Sequence, residues 1–189
     1  MQEGDFIYRA YMRPPKKIMI FGVPGSGKST FAVELSNLLN LPVFHLDKYF
    51  YVENWQEHNT AEFLYIQERL VEKESWIIDG NALRSLKMRF NRADIALYFR
   101  CNRLVCLWRI FKRLFLKNTQ IADRADGCVE KVPMRLIRYL WNFTKRVDPI
   151  IQELRRAYPN VIFYEIKNQK DIEAFLQKNA SNHIRQVRR

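Results

Sequence analysis

Long apolar runs are missing from this 189-residue chain, and so are internal repeats and low-complexity segments. Nowhere are there about 18 uncharged apolar residues in a row, the length a membrane-crossing helix needs. The nearest candidate, residues 104–116, is broken by Arg109, Lys112 and Arg113. An apolar leader is also lacking, since Glu3 and Asp5 stand among the first residues, so the reading is a cytoplasmic protein, neither secreted nor held in a membrane. Cysteine is scarce. Cys101, Cys106 and Cys128 are odd in number and lack metal spacing, which fits reduced thiols. The three histidines, His45, His58 and His183, form no metal-spaced cluster either, and His45 reads as a satisfied core residue.

Acidic residues are few beside basic ones, 20 against 32, giving a formal charge of +12. Residues 84–146 hold 16 of the basic and 4 of the acidic residues, so the entire excess lies in one third of the chain. Such a region attracts a polyanion, whether nucleotide, nucleic acid or membrane surface, and charge alone does not choose among them. With 48% hydrophobic and 28% charged residues, the composition is that of a globular protein rather than a disordered one. The length suits one domain.

Short apolar runs alternate with longer helical patterns. Residues 18–21, 43–46, 76–78, 95–99 and 161–164 read as five strands, apolar on both faces, as in a sheet covered on both sides. Asn59 with Glu62 resembles a capping box for a helix over 60–73. Pro133 fits the first turn of a helix to about residue 145, and Asp148-Pro149 reads as a cap opening a further helix to 157. Residues 1–16 and 179–189 read as mobile tails. Strand and helix in alternation predict an α/β fold with a doubly wound parallel sheet.

The chemistry is carried by Gly22-Val23-Pro24-Gly25-Ser26-Gly27-Lys28-Ser29-Thr30, which fits G-x-x-x-x-G-K-[ST] in full, after an apolar strand and before a helical pattern. Glycines let backbone N–H groups curl around phosphate oxygens, and the helix start adds a positive dipole end. Lys28 is placed to reach the β- and γ-phosphates, and the Ser29 hydroxyl to bind Mg²⁺. Two acids stand just past strand ends. Asp79 is a candidate for holding Mg²⁺ through water or for contacting an acceptor. Asp47 is a candidate for accepting the proton of an acceptor hydroxyl. On the helical pattern 102–117, Arg109 and Arg113, with Lys117 and Arg103, share a side, while Leu104, Leu107, Phe111 and Leu114 supply an apolar face. Arginines beside a phosphate loop neutralise charge that develops during phosphoryl transfer. Residues 118–130, polar and containing Gly127, read as a candidate lid.

These residues resemble the adenylate-kinase-like P-loop kinases, and in particular the bacterial subgroup often labelled DNA topology modulation protein. The likeness is carried by residues 22–30, Leu46-Asp47 with Trp55, Trp76-Ile77-Ile78-Asp79-Gly80-Asn81, Arg92-Ala93-Asp94, Cys106-Leu107-Trp108-Arg109 with Arg113, and Gly127-Cys128 with Glu130. It implies a P-loop NTPase three-layer sandwich over residues 17–178, a five-stranded parallel sheet of order 2-3-1-4-5, ATP binding and an arginine-bearing lid. The lid departs from the family pattern: Ile121 stands where the arginine belongs and Asp123 at the acid, leaving Arg124 as the substitute. The function that follows is an ATP- and Mg²⁺-dependent kinase acting on a nucleotide, nucleoside or other small hydroxyl acceptor. Its catalytic set is Lys28, Asp47, Asp79, Arg109 and Arg113. Its nucleotide-binding set is Gly22, Pro24, Gly25, Ser26, Gly27, Lys28, Ser29, Thr30 and Arg109. A nucleotide-dependent nucleic-acid binder acting through residues 84–146 is the alternative, and salt-resistant DNA binding is its discriminator.

Overall fold

A computed structural model describes residues 15–52, 56–57, 59–115 and 134–187. Strand β1 (Lys17–Gly22) leads through the phosphate loop into helix α1 (Lys28–Leu39). Then come β2 (Val43–His45), a short helix α2 (Leu46–Phe50), a two-stranded antiparallel ribbon of β3 (Tyr51–Val52) and β4 (Gln56–Glu57), and α3 (Thr60–Glu72). Strand β5 (Trp76–Asp79) is followed by a 3₁₀ turn (Leu83–Ser85), α4 (Leu86–Arg92), β6 (Ile95–Phe99) and α5 (Arg103–Phe115). Helix α6 (Met134–Ala157), β7 (Ile162–Ile166) and α7 (Gln169–Val187) complete the chain.

The five long strands form one parallel sheet in the order β2-β5-β1-β6-β7, which is the expected 2-3-1-4-5 order once the small ribbon is set aside. Strand side chains alternate between two cores. Met19, Phe21, Trp76, Ile78, Ala96 and Tyr98 face Phe63, Leu70, Phe90, Leu140 and Phe143. Ile18, Ile20, Ile77, Ile95, Leu97 and Phe99 face Phe31, Leu35 and Phe175. Both faces being covered explains why the strands read as unbroken apolar runs. Among the described residues, no helix is long and apolar enough to cross a membrane.

The predicted cap at Asn59 forms: its side-chain oxygen accepts from Ala61 N at 2.9 Å. The predicted helix break at Asp148-Pro149 does not. Helix α6 runs through Pro149 without interruption. Its buried residues Leu140, Phe143, Val147, Ile151 and Leu154 follow one another at three- and four-residue steps across the proline, so one apolar stripe packs along the whole length. Asp148 is not a cap because its carboxylate is engaged by Tyr98 Oη and Arg100. Leu46 begins α2 instead of ending β2, and β7 starts and ends later than the predicted 161–164. Lys16, read as tail, is tied into the sheet edge: its N–H donates to Asp94 Oδ2, and its carbonyl accepts from Trp76 N. Helix α7 takes in residues 179–187 of the other segment read as a tail.

Candidate functional site

All five strands are parallel, so their C-terminal ends share one edge of the sheet, with Gly22, His45 and Asp79 side by side. The phosphate loop leaves β1 at Gly22. Gly22, Gly25 and Gly27 all have positive φ, of 145°, 76° and 94°. Space also requires the first two to be glycine. A Cβ on Gly22 would stand 2.2 Å from the Phe99 carbonyl oxygen, and one on Gly25 2.6 Å from that of Cys106. Within the loop, Ser26 N donates to Val23 O and Val23 N to Phe99 O, so the chain is curled and tied to β6. Gly27, left-handed, is the residue from which α1 starts.

Lys28, the first residue of α1, donates from Nζ across the loop to Val23 O at 3.3 Å. Ser29 is half-buried and Thr30 exposed. Arg109 comes to the same loop from α5: its guanidinium donates to Ser26 O at 3.0 Å and lies nearest to the open side of Gly27. Two cations from distant parts of the sequence therefore stand on one ring of backbone. Arg113 lies on α5, but its side chain falls outside the described residues, as do Trp55, the candidate lid at 118–130 and Arg124.

The neighbouring strand end supplies the acid. Asp79 closes β5 with a buried carboxylate, and its Oδ2 meets His45 Nδ1 at 3.0 Å. A carboxylate only accepts, so the His45 Nδ1–H is the donor. Asp79 Oδ1 has no protein partner. The turn after Asp79 is bound to the loop at Gly22, whose N–H donates to Asn81 Oδ1 at 2.9 Å, while Gly80 N donates to Ile20 O. Beneath it lies Arg89, fully buried, donating to Gly80 O at 2.9 Å and Ala82 O at 2.8 Å. Burial draws the Arg89 pKa down to about 10 and the nearby Asp79 charge opposes that, so it stays a cation at neutral pH. Asp47 lies in the first turn of α2, exposed, beyond the end of β2.

The donors fit a magnesium ion. Ser29 offers a hydroxyl and Asp79 a buried carboxylate oxygen with no protein partner, the hard oxygen ligands that such a cation takes along with water. Among the described residues there is no group of three or more His, Cys, Asp or Glu that could hold a metal by itself.

Two expectations about α5 are corrected. Arg103 does not line up with Arg109, because its guanidinium donates to Thr144 Oγ1 at 2.6 Å and lies over Trp141. The apolar face is also rotated. Leu104 and Phe111 are exposed, whereas Cys106 and Ile110 are buried. The helix is held by its contact with Gly25, which Cys106 O and Ile110 press against, and that contact sets its rotation. Sequence reasoning passed over His45 as a partner of Asp79, and it passed over Arg89 and the Asn81 clamp as well. His45 and Asp79 each end an apolar run, the one signal that places them together. Nothing in sequence marks Arg89 as the buried member of a basic helix.

This geometry has relatives. Residues 18–124, more than half of the chain, match the family described as AAA domain. The chain belongs to that family. No curated protein matches it in sequence. Its fold is shared by solved kinases. Shikimate kinase from Acinetobacter baumannii, in complex with shikimate, superposes with a TM-score of 0.54 at 16% identity, over 95% of this chain and 96% of that one. A gluconokinase from Sinorhizobium meliloti gives 0.53 at 16% identity, over 92% and 94%. Deoxyadenosine kinase from M. mycoides gives 0.51 at 18% identity, over 87% and 98%. The AAA-domain protein thus has the P-loop kinase fold: a five-stranded parallel sheet of order 2-3-1-4-5 with helices on both sides.

Proposed function

We propose that this protein is an ATP-dependent kinase that transfers the γ-phosphoryl group to a small hydroxyl compound, with a nucleotide, a nucleoside or another metabolite alcohol as acceptor. The observation that carries this reading is the convergence of Lys28 and Arg109 on one phosphate loop, with the Asp79 carboxylate bound to that loop through the Asn81 turn. The fold shared with small-molecule kinases supports it, and so does membership of a nucleotide-binding family. The finer grouping with the adenylate-kinase-like enzymes rests on the sequence motifs.

The roles follow from the chemistry. Backbone N–H groups of the loop bind the phosphate oxygens. Lys28 leaves Val23 O for the β- and γ-phosphates, and Arg109 spreads its donors over the oxygens of the transferring group. Ser29 and Asp79 would hold a magnesium ion, which would neutralise charge on the phosphates. Asp47 orients the acceptor hydroxyl and takes its proton.

Purified protein with Mg-ATP and a panel of nucleosides, nucleotides and sugars should phosphorylate at least one member, with ADP formed in equal amount. Lys28→Ala should abolish transfer. Transfer that persists in Lys28→Ala would refute the assigned site, and failure to bind any triphosphate would refute the reading as a whole.

A further inference from the structure

Two thiols that the proposed reaction does not use sit against the phosphate loop. Asn102 caps α5, its side chain accepting from Leu104 N at 2.9 Å and its carbonyl from Cys106 N at 3.0 Å. Cys101 is therefore the residue before the cap, and Cys106 the fourth residue of the helix. Side chains at those two positions pack on each other at a helix start. Here both are cysteines, and neither is in a disulfide. Cys101 is half-buried and Cys106 buried. On its other side, the Cys101 thiol donates to Ser26 O at 3.9 Å, the carbonyl that also receives Arg109. The backbone of Cys106 presses on Gly25.

We propose that Cys101 and Cys106 are an oxidisable dithiol that closes to a disulfide against the phosphate loop, with a peroxide as oxidant. The Cys101 thiolate attacks hydrogen peroxide, so that the S–O bond forms as O–O breaks, giving a sulfenic acid and hydroxide. The Cys106 sulfur then attacks the sulfenic sulfur. The S–S bond forms, the S–O bond breaks, and the departing hydroxide takes the Cys106 proton as water. Two electrons pass from the thiols to the peroxide, and two waters result.

The surroundings assign the order of attack. The hydrogen bond from Cys106 stabilises the Cys101 thiolate most, with help from Arg109 and Lys28 and against burial and Asp171, bringing its pKa down to about 7. Cys106 is pushed upward by donating that bond, by burial and by the Cys101 charge. Conversion of Cys101 to a sulfenic acid removes both the negative charge and the thiolate acceptor, which frees Cys106 to react. A third thiol, Cys128, lies outside the described residues and is removed for the test.

The experiment uses the full chain carrying Cys128→Ser. Treatment with stoichiometric hydrogen peroxide should convert both thiols to a disulfide within one monomer, with a mass loss of two hydrogens and full recovery by dithiothreitol. Before oxidation, iodoacetamide should alkylate Cys101 along a titration centred near pH 7, against about 8.5 for an ordinary cysteine. With Cys106→Ser added, peroxide should leave a dimedone-reactive sulfenic acid at Cys101. Unchanged thiol titre in folded protein would overturn the proposal, and so would overoxidation without a disulfide or a bond formed only between molecules. None of these readings depends on kinase activity.

Discussion

His45 Nδ1 and Asp79 Oδ2 face each other across 3.0 Å on neighbouring parallel strands whose register pairs the two residues. Both side chains are almost wholly buried, so the bond is shielded from water. It spends one carboxylate oxygen and fixes the orientation of the other. His45→Phe removes the donor and leaves both oxygens of Asp79 without it. The expected stability loss is about 1–3 kcal/mol by urea unfolding. Nucleotide affinity should stay within about twofold, because the loop is untouched, while kcat falls about tenfold and the Mg²⁺ requirement rises. A variant that loses stability alone, with kcat and Mg²⁺ dependence intact, would reduce His45 to a packing role.

Arg109 offers a cleaner separation of binding from stability. It is exposed, and its hydrogen bond in the described structure goes to a backbone carbonyl. Arg109→Ala should change unfolding free energy by no more than about 0.5 kcal/mol. Triphosphate affinity should drop about ten- to a hundredfold, the worth of a charged hydrogen bond to phosphate. Arg109→Lys should recover part of that, since charge returns without the planar fork. Calorimetric titration with Mg-ATP checks all three, and equal affinity in Arg109→Ala would remove the residue from the site.

The sheet could be read from sequence because its signal is local. Each strand is a short apolar run buried on both faces, and the phosphate loop is contiguous, so strand, loop and helix start appear together in one stretch of residues. What escaped is what depends on rotation and partner. The apolar stripe of α5 by sequence contained Leu104 and Phe111, yet the helix turns Cys106 and Ile110 inward because they meet Gly25. The Asp148-Pro149 pair carries the local signature of a helix start. It was overruled by packing on both sides of the proline and by the Tyr98 and Arg100 contacts to Asp148. Asp79 was found as a strand-end acid, whereas its pairing with His45 needs the register of β2 against β5, which no local pattern encodes.

The three loop glycines differ in what an added methyl would meet. At Gly22 it would strike the Phe99 carbonyl oxygen at 2.2 Å, and that oxygen already accepts from Val23 N. Relief would require β1 and β6 to part. At Gly27 the nearest atom, on the Arg109 side chain, is 3.8 Å away, so only the positive φ is unfavourable. Gly27→Ala should therefore cost about 1–2 kcal/mol, and Gly22→Ala about 3 kcal/mol or more. Urea midpoints of the two variants measure the difference, and equal losses would mean that the β1–β6 junction yields.

Alkaline conditions should expose the contact that Asp148, the residue before Pro149 in α6, makes with the sheet. Tyr98 donates to Asp148 Oδ1 at 2.9 Å, and Arg100 meets Oδ2 at 3.0 Å. Burial first, and then the bond to Asp148, raise the Tyr98 pKa above its ordinary value. The folded state thus holds the phenolic proton more tightly than the unfolded chain, whose tyrosines titrate near pH 10. The contribution is complete below about pH 10 and is lost as pH climbs toward the folded value. Tyr98→Phe has no such proton, so the stability gap between wild type and variant should be constant from about pH 7 to 9 and should narrow above about pH 10. Arg89, with its pKa drawn down to about 10 by burial, shifts stability the opposite way in the same window. It is present in both proteins and cancels in the difference. Urea unfolding of the pair across that range is the measurement, and a gap that stays level through about pH 11 would show that the Tyr98 proton is not held by the fold.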